Sequence, residues 1–321
     1  MNNKDESTIA AIEQQLHIPG KYGPWWTARR LLQECWKHKP SVLRNTTFDL
    51  RDLPFMGAAR DILWRRPLGP HMVGRWVHHY DKNSQYLSAC RGVRMGIGDP
   101  IHMNNRLIVS GLPGIYHIAD FTMMGAFGPV FYPPIIEPDQ QWITDDVLRF
   151  ALEQGYILEV DEAWVFPDYT KVLNRWAGDI WRARLYFKHR NPAAYAEMKA
   201  IATVGVGSFA TSEEKHPGLD LIHPNWWADV VGKARVNMLA NLLKFGSPVL
   251  IRTDSLWYVS RDPNYRTAVP GILDRMTECG GYKYESSFQL TEELYNQAQG
   301  LGHAELAKLF HDVEELEDTG S

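Results

Sequence analysis

The most constraining feature of this sequence is a long apolar helix followed directly by a short β-hairpin. Helical spacing of apolar residues extends over 224–245, and Gly246 supplies a stop signal. Two apolar runs follow at 248–252 and 256–260, separated by a three-residue turn that contains Asp254. A connection this short makes the two strands antiparallel neighbours. The chain is therefore expected to build an antiparallel sheet with helices packed against it.

An earlier part of the sequence supplies another strand that ends in an aspartate. Residues 74–90 alternate like a strand and then continue into a turn and a short helix, with Asp81 at the junction. An aspartate at a turn is most often a turn former, so neither Asp81 nor Asp254 defines a site by itself. Further elements are expected as broken helices at 7–38, a strand at 106–110, a helix at 144–154, a strand at 156–166, and helices at 168–190 and 193–206.

Composition indicates a globular chain in a reducing, cytoplasmic setting. Apolar residues make up 45% and charged residues 22%, which excludes disordered, collagen-like and coiled-coil classes. The cysteines Cys35, Cys90 and Cys279 are too few and too far apart for a disulfide framework or a zinc ribbon. The first residues are polar and no stretch approaches about 18 consecutive apolar residues, so we expect neither a signal peptide nor a membrane span.

Charge is distributed unevenly around a net value of −4. Basic residues dominate from Lys171 to Lys199, whereas the last ten residues hold five acids and no base. This pattern argues against a uniformly basic nucleic-acid binder and favours a local polyanion site, with a solvated helix face as the alternative. If Asn191-Pro192 turns an antiparallel helix pair, Arg182 lies opposite Lys199. Two facing cations would suit a triphosphate, although two solvated basic residues would give the same pattern.

The segments around the two aspartates carry a family resemblance. The sequence Asp81-Lys-Asn-Ser-Gln-Tyr-Leu-Ser resembles the first carboxylate motif of family-B DNA polymerases, Asp-x-x-Ser-Leu-Tyr-Pro-Ser. The sequence Val249-Leu-Ile-Arg-Thr-Asp-Ser-Leu resembles their third motif, Tyr-Gly-Asp-Thr-Asp-Ser, in which the second aspartate binds metal. Between them, 199–209 keeps the Lys, Gly and Phe of the fingers motif Lys-x-x-x-Asn-Ser-x-Tyr-Gly-x-Phe. With weaker matches at 142–166, 234–239 and 281–285, the resemblance covers roughly 74–288.

The resemblance implies an α+β polymerase palm, an antiparallel sheet with flanking helices, and a two-helix fingers insertion. The implied domains are an N-terminal helical region at 1–73, the palm at 74–165 and 210–288, the fingers at 166–209, and a residual thumb with an acidic tail at 289–321. The implied activity is template-directed DNA polymerisation without proofreading, because we see no exonuclease motif before Asp81. A phage or mobile-element origin would fit a polymerase with so few domains.

The resemblance also implies roles for particular residues. Two Mg²⁺ ions, for which Mn²⁺ can substitute, would be held by carboxylates from two elements. The expected catalytic and metal-binding residues are Asp81 and Asp254, with the Lys82 carbonyl as a third ligand. The expected nucleotide-binding residues are Asn83, Ser84 and Gln85 through backbone N–H groups, Tyr86 as a steric gate against the ribose 2′-hydroxyl, and Arg182 with Lys199. The expected DNA-binding residues are Arg235 and Lys283.

Departures from the family pattern leave a second hypothesis open. Thr203, Val204 and Val206 replace the Asn, Ser and Tyr of the fingers motif, and Arg252 replaces the first hairpin aspartate. These changes favour a catalytically inactive polymerase-like protein that binds nucleic acid or a replication partner. The expected partners of an active enzyme are primed DNA and dNTP, with a further protein supplying a thumb or a priming function. We expect weak, salt-sensitive DNA binding, low processivity, and tighter binding when 312–318 are removed.

Overall fold

The structure of the chain is a computed structural model that describes residues 6–18, 23–44, 46–47, 49–104, 111–123, 132–210 and 222–319. Its helices are α1 (Glu6–Leu16), α2 (Pro24–Cys35), α3 (Phe55–Ala58), α4 (Gln85–Cys90), α5 (Asp145–Glu153), α6 (Asn174–Phe187), α7 (Pro192–Ser208), α8 (Pro224–Phe245), α9 (Glu292–Ala298) and α10 (His303–Thr319). Its strands are β1 (Leu63–Arg65), β2 (Trp76–Lys82), β3 (Met95–Gly96), β4 (Ile101–Met103), β5 (Gly114–Thr122), β6 (Trp142–Thr144), β7 (Ile157–Val165), β8 (Tyr169–Thr170), β9 (Leu250–Arg252), β10 (Ser255–Ser260) and β11 (Tyr282–Gln289). The strand expected at 106–110 lies outside the described residues.

The main sheet has five antiparallel strands in the order β1-β9-β10-β2-β11. The predicted hairpin forms β9 and β10, and the predicted strand ending at Asp81 forms β2 beside it. Strand β1 was not expected, because the sequence analysis took the whole of 1–73 as helical. It pairs with β9 through Leu63 opposite Arg252, so the N-terminal region contributes an edge strand to the sheet.

The sheet is covered on both faces because its strands alternate apolar side chains. Along β10, Leu256 and Tyr258 pack into a cluster that includes Leu239 of α8. Trp257 points to the opposite face, where its ring lies 6.4 Å from that of Phe310 in α10. The result is a layered α+β arrangement with α8 on one face and α9 with α10 on the other.

Helix α8 forms at the predicted 224–245, and most of its residues are buried. Pro224 in its first turn is compatible with a helix start. It ends at Gly246, whose φ of 85° is a left-handed conformation that glycine adopts without a Cβ clash. Helix α8 also contacts α3, α4, α5 and α7, so it links the sheet to these four helices.

The helices α6 and α7 pack on each other and on α1 and α2. Asn191 caps α7 by accepting the Ala194 N–H at 3.0 Å, as its position before Pro192 predicts. Gly205 lets α7 approach α6, because a Cβ there would lie 2.6 Å from the Trp176 ring. Helix α6 begins later than the expected residue 168, since β8 pairs with β3 just before it.

A second antiparallel sheet, in the order β4-β7-β5-β6, lies between β2 and α6 in the sequence. The expected strand at 156–166 is its strand β7, and the expected helix at 144–154 is α5. Gly155, with a φ of 85°, ends α5 as predicted. Among the described residues, no helix combines the length and the apolar character needed to cross a membrane.

The segment expected as an acidic tail belongs to the C-terminal helix α10, which packs on the sheet. Leu306 and Phe310 are fully buried against the sheet. The Glu314 carboxylate accepts the Trp257 indole N–H at 3.0 Å and lies 3.2 Å from His79 Nδ1. Removing 312–318 would therefore also take away a buried anchor of the sheet, and the effect of this deletion on DNA binding stays a prediction.

Candidate active site

The structure brings Asp81 and Asp254 together at one end of the main sheet. Asp81 on β2 pairs in register with Ser255, the first residue of β10, and Asp254 directly precedes it. The Lys82 N–H donates to the Asp254 carbonyl at 2.8 Å, and Ser255 Oγ donates to Asp81 Oδ1 at 3.4 Å. Thr253 holds the tight turn with a φ of 56°. Sequence motifs that lie far apart thus meet on neighbouring strands.

The electrostatics of this pair favour a cation. Burial raises the pKa of Asp254 to about 6, and the negative charges of Asp81 and Asp61 add to the shift. Lys199 is near enough to lower the same pKa. A buried carboxyl beside other carboxylates is a typical feature of functional sites, because the repulsion is relieved when a positive group binds.

Asp61 is a third carboxylate that the sequence analysis did not identify. It precedes β1, and the Thr253 N–H donates to the carbonyl of the next residue, Ile62, at 2.9 Å. The Asp61 carboxylate accepts the Tyr86 hydroxyl at 2.5 Å. The available signal was an aspartate just before the short apolar run Ile62-Leu-Trp, but nothing in that run predicts pairing with β9.

Tyr86, the expected steric gate, lies on α4 directly after the Asp81 strand. Its ring is partly buried between two apolar clusters. Burial and the neighbouring Asp61 carboxylate raise the pKa of the Tyr86 hydroxyl, so it remains a hydrogen-bond donor. Its position beside the aspartate pair agrees with the expected site, and its role in sugar selection stays a prediction.

The cations of the helix pair differ from the expectation. The Arg182 side chain is 72% exposed and pairs with Asp179, on the face of α6 that meets α1 and α2. The predicted pairing of Arg182 with Lys199 is therefore wrong. Arg184, two residues along the helix, is buried and donates to Ser84 Oγ and, at 3.1 Å, to the Tyr195 hydroxyl. A change of two residues rotates a side chain by about 200° around a helix, which moves it to the other face.

Only some of the backbone N–H groups in the turn after Asp81 are available to bind a triphosphate. The Asn83 N–H donates to the Gly281 carbonyl at 2.8 Å, so the expected role of this N–H as a phosphate ligand is wrong in this conformation. Ser84 has a φ of 56° and precedes α4, while Gln85 is buried and donates to the Thr253 carbonyl at 3.2 Å. The backbone N–H groups of Ser84 and Gln85 remain predicted ligands.

Two lysines lie close to the aspartates. Lys283 on β11 pairs in register with Asp81, and its ammonium lies 3.0 Å from Asp81 Oδ2 while also contacting Glu285. The Lys82 side chain is buried under the turn, 5.7 Å from the centre of the Tyr282 ring, and burial lowers its pKa to about 8. Lys283 thus faces the site as well as the solvent, and the Lys82 carbonyl remains a predicted metal ligand.

Arg235 does not face solvent and cannot bind DNA as expected. Its side chain is 1% exposed, and its guanidinium donates to the Pro134 carbonyl at 2.7 Å and the Ile135 carbonyl at 3.1 Å. It also pairs with Glu137 at 2.8 Å and reaches the carbonyls of Arg60 and Asp61. Arg235 is thus a structural residue of α8 that holds two loops, because a buried guanidinium needs all of these acceptors.

The layered sheet, the helix pair and the paired aspartates define a polymerase-like fold, which solved structures support. Phi29 DNA polymerase complexed with single-stranded DNA matches with a TM-score of 0.63 and 16% identity over 88% of this chain and 55% of that chain. Its ternary complex with primer-template DNA and incoming nucleotides matches with a TM-score of 0.63 and 15% identity over the same shares. The chain therefore spans about half the length of these polymerases. No protein-family profile and no curated protein matches the sequence.

Proposed function

We propose that this protein is a template-directed DNA polymerase that transfers a nucleotidyl group from a dNTP to a primer 3′-hydroxyl. The meeting of Asp81 and Asp254 on paired strands, within a polymerase-like fold, carries the proposal. The similar phi29 structures hold primer-template DNA and incoming nucleotides, which supports both as ligands of this chain. In this assignment the main sheet with α8 is the palm, α6 and α7 are the fingers, and α9 with α10 is a residual thumb.

The donor set of the aspartate pair fits a divalent metal. Magnesium prefers one or two carboxylates plus substrate phosphates, and Asp81, Asp254 and the Lys82 carbonyl offer that set. Burial and the neighbouring carboxylates raise the pKa of Asp254, so a cation bound beside it would favour its charged form. These residues would hold Mg²⁺ or Mn²⁺, which would supply Lewis-acid activation of the primer hydroxyl and charge neutralisation of the leaving pyrophosphate.

The remaining groups would bind and orient the nucleotide. Lys199 lies within electrostatic range of Asp254, and Arg184 approaches the turn through Ser84, so these cations suit the triphosphate better than Arg182 does. Tyr86 would lie under the incoming sugar. Lys283 neutralises Asp81 in this conformation and would turn to a DNA phosphate when a metal takes its place beside the carboxylate.

Primer extension with aspartate variants tests the proposal. The wild-type chain should extend a primed template in Mg²⁺ or Mn²⁺, and Asp81→Asn or Asp254→Asn should each lower the rate by at least about 100-fold, because each removes a metal ligand. The matched control is Asp120→Asn, since Asp120 is an exposed aspartate on β5. Equal rates in all four proteins would contradict the assignment of the site.

A catalytically inactive nucleic-acid-binding protein is the second candidate. The Lys283 ammonium already pairs with Asp81 Oδ2 at 3.0 Å and would compete with a metal for this carboxylate, and Arg252 replaces the first aspartate of the hairpin motif. A protein of this kind would bind primed DNA without extending it in either metal.

A further inference from the structure

The segment before β1 reaches the candidate active site through a built set of contacts. Leu63 pairs with Arg252, and the Thr253 N–H donates to the Ile62 carbonyl at 2.9 Å. Continuing this antiparallel register places Asp61 level with Asp254. The carboxylate of Asp61 therefore stands at the same end of the sheet as the metal-binding candidates, although it comes from the N-terminal region.

The main chain at Asp61 is held from a second direction. The buried guanidinium of Arg235 in α8 lies 3.4 Å from the carbonyl oxygens of both Arg60 and Asp61. The Arg60 side chain pairs with Asp139 at 2.7 Å. Contacts with the hairpin on one side and α8 on the other fix where the Asp61 side chain begins.

The hydrogen-bond partner of the Asp61 carboxylate is the hydroxyl of Tyr86, the candidate steric gate. The Tyr86 hydroxyl donates to Asp61 Oδ1 at 2.5 Å, a charge-assisted hydrogen bond. Tyr86 lies on α4, a short helix whose tyrosine ring has two side-chain torsions to fix. The hydrogen bond from the Tyr86 hydroxyl to the anchored Asp61 carboxylate restricts both side-chain torsions of the tyrosine.

We propose that Asp61 is a positioning residue that holds the Tyr86 ring and thereby sets discrimination against ribonucleotides. The inference rests on the proposed polymerase function and deepens it. A steric gate excludes a 2′-hydroxyl only while the blocking ring stays in place, so its selectivity depends on what holds the ring. Asp61 acts through Tyr86 and does not itself touch the sugar.

The test is a double-mutant cycle on sugar selectivity. Wild type, Asp61→Ala, Tyr86→Phe and the double variant are compared for kcat/KM with ATP and with dATP on the same primer-template. Each single variant should raise the ATP/dATP ratio about tenfold, mainly through a lower KM for ATP. The double variant should show no further increase, because both changes remove the same hydrogen bond.

Two further variants sharpen the result. Asp61→Asn should keep most of the selectivity, since the amide oxygen still accepts the hydroxyl. If Asp61→Ala does not fold, Tyr86→Phe carries the test, because it removes the same hydrogen bond from the donor side. Asp120→Ala, at an exposed aspartate of the second sheet, should keep the wild-type ratio. A wild-type ratio in Asp61→Ala and in Tyr86→Phe, or an additive increase in the double variant, would overturn the inference. Loss of dATP incorporation by Asp61→Ala as large as that of Asp81→Asn would also overturn it.

Failure of the proposed function can be separated from failure of this inference. If wild type extends no primer, the same variants are compared for equilibrium binding of dATP and ATP in the presence of a dideoxy-terminated primer-template. A preference for dATP that both single variants remove would support the inference without polymerisation. Equal affinity of the wild-type protein for the two nucleotides would overturn it.

Discussion

At the scale of single residues, the buried environment of Asp254 disfavours the ionised form of its carboxyl group. Burial, with the carboxylates of Asp81 and Asp61 close by, raises its pKa to about 6. Because the folded protein binds this proton more tightly than the unfolded chain, Asp254 lowers stability as pH rises through that pKa. A position that costs stability when its side chain ionises is typical of a functional site.

Replacement of Asp254 by asparagine should therefore stabilise the metal-free protein at neutral pH. The gain in the free energy of unfolding should be about 1–3 kcal/mol at pH 7 and should vanish near pH 4, where the carboxyl is protonated in the folded state. Urea unfolding of wild type and Asp254→Asn in EDTA at both pH values measures it. An equal difference at pH 4 and pH 7 would show that the carboxyl is not perturbed.

Arg184 and Arg182 give a matched pair for the triphosphate assignment. Arg184→Ala should raise the KM for dNTP about tenfold or more, because Arg184 approaches the Asp81 turn through Ser84. Arg182→Ala should leave the KM unchanged, since its guanidinium pairs with Asp179 on the other face of α6. Steady-state primer extension, with melting temperatures as a check on folding, distinguishes them. A larger increase in the KM for dNTP in Arg182→Ala than in Arg184→Ala would instead support Arg182 as the triphosphate ligand.

At the scale of elements, the sequence predicted what local signals determine. Helix α8 is marked by a helical spacing of apolar residues and by a glycine at its end, and the β9–β10 hairpin is marked by its short turn. All three signals are local in the sequence. Strand β1 has three residues, and its pairing with β9 is a non-local contact without a sequence signature. Arg235 was misassigned because helix periodicity does not show that a guanidinium will find buried carbonyl acceptors.

Helix α10 should depend on the charge of Glu314. Burial disfavours that charge, but hydrogen bonds from His79 and Trp257 outweigh it and lower the pKa to about 2. The resulting stability is present above the ordinary pKa of 4.5 and is lost as pH falls towards 2. Glu314→Gln should lower the free energy of unfolding by about 2–3 kcal/mol at pH 7 and by little near pH 2.

Chemical denaturation across this pH range measures the effect, with Asp312→Asn as the control. Asp312 is an exposed acid of the same helix, and its replacement should change stability by less than about 0.5 kcal/mol. A similar loss in the two variants would mean that general charge, and not the contact with His79 and Trp257, docks the helix.

At the scale of the whole molecule, the net charge bears on the proposed binding of DNA. The chain carries a net charge of −4, and it spans about half the length of the similar phi29 polymerases. Affinity for duplex DNA comes largely from phosphate neutralisation, with about one unit of salt slope for each contact. We therefore expect weak binding to primed DNA that falls steeply with salt, and synthesis of a few nucleotides per encounter unless a partner protein is added.

The exposed acidic side chains of α10 should contribute to the low affinity for primed DNA. The double variant Asp312→Asn/Glu315→Gln removes two exposed carboxylates and leaves Glu314 in place, so it should bind primed DNA more tightly at low salt. The gain should disappear at high salt, where exposed charges are screened. Fluorescence anisotropy at several salt concentrations measures both effects, and unchanged affinity at low salt would place α10 away from the DNA.

Template-programmed incorporation of a single nucleotide tests whether this protein is a template-directed DNA polymerase. Four primer-templates that differ only in the first unpaired template base are each offered one dNTP at a time, with Mg²⁺ or Mn²⁺. We predict that wild type adds the complementary nucleotide on every template and that Asp254→Asn adds none. Folded wild-type protein that binds the primed DNA but adds no nucleotide on any template would contradict it.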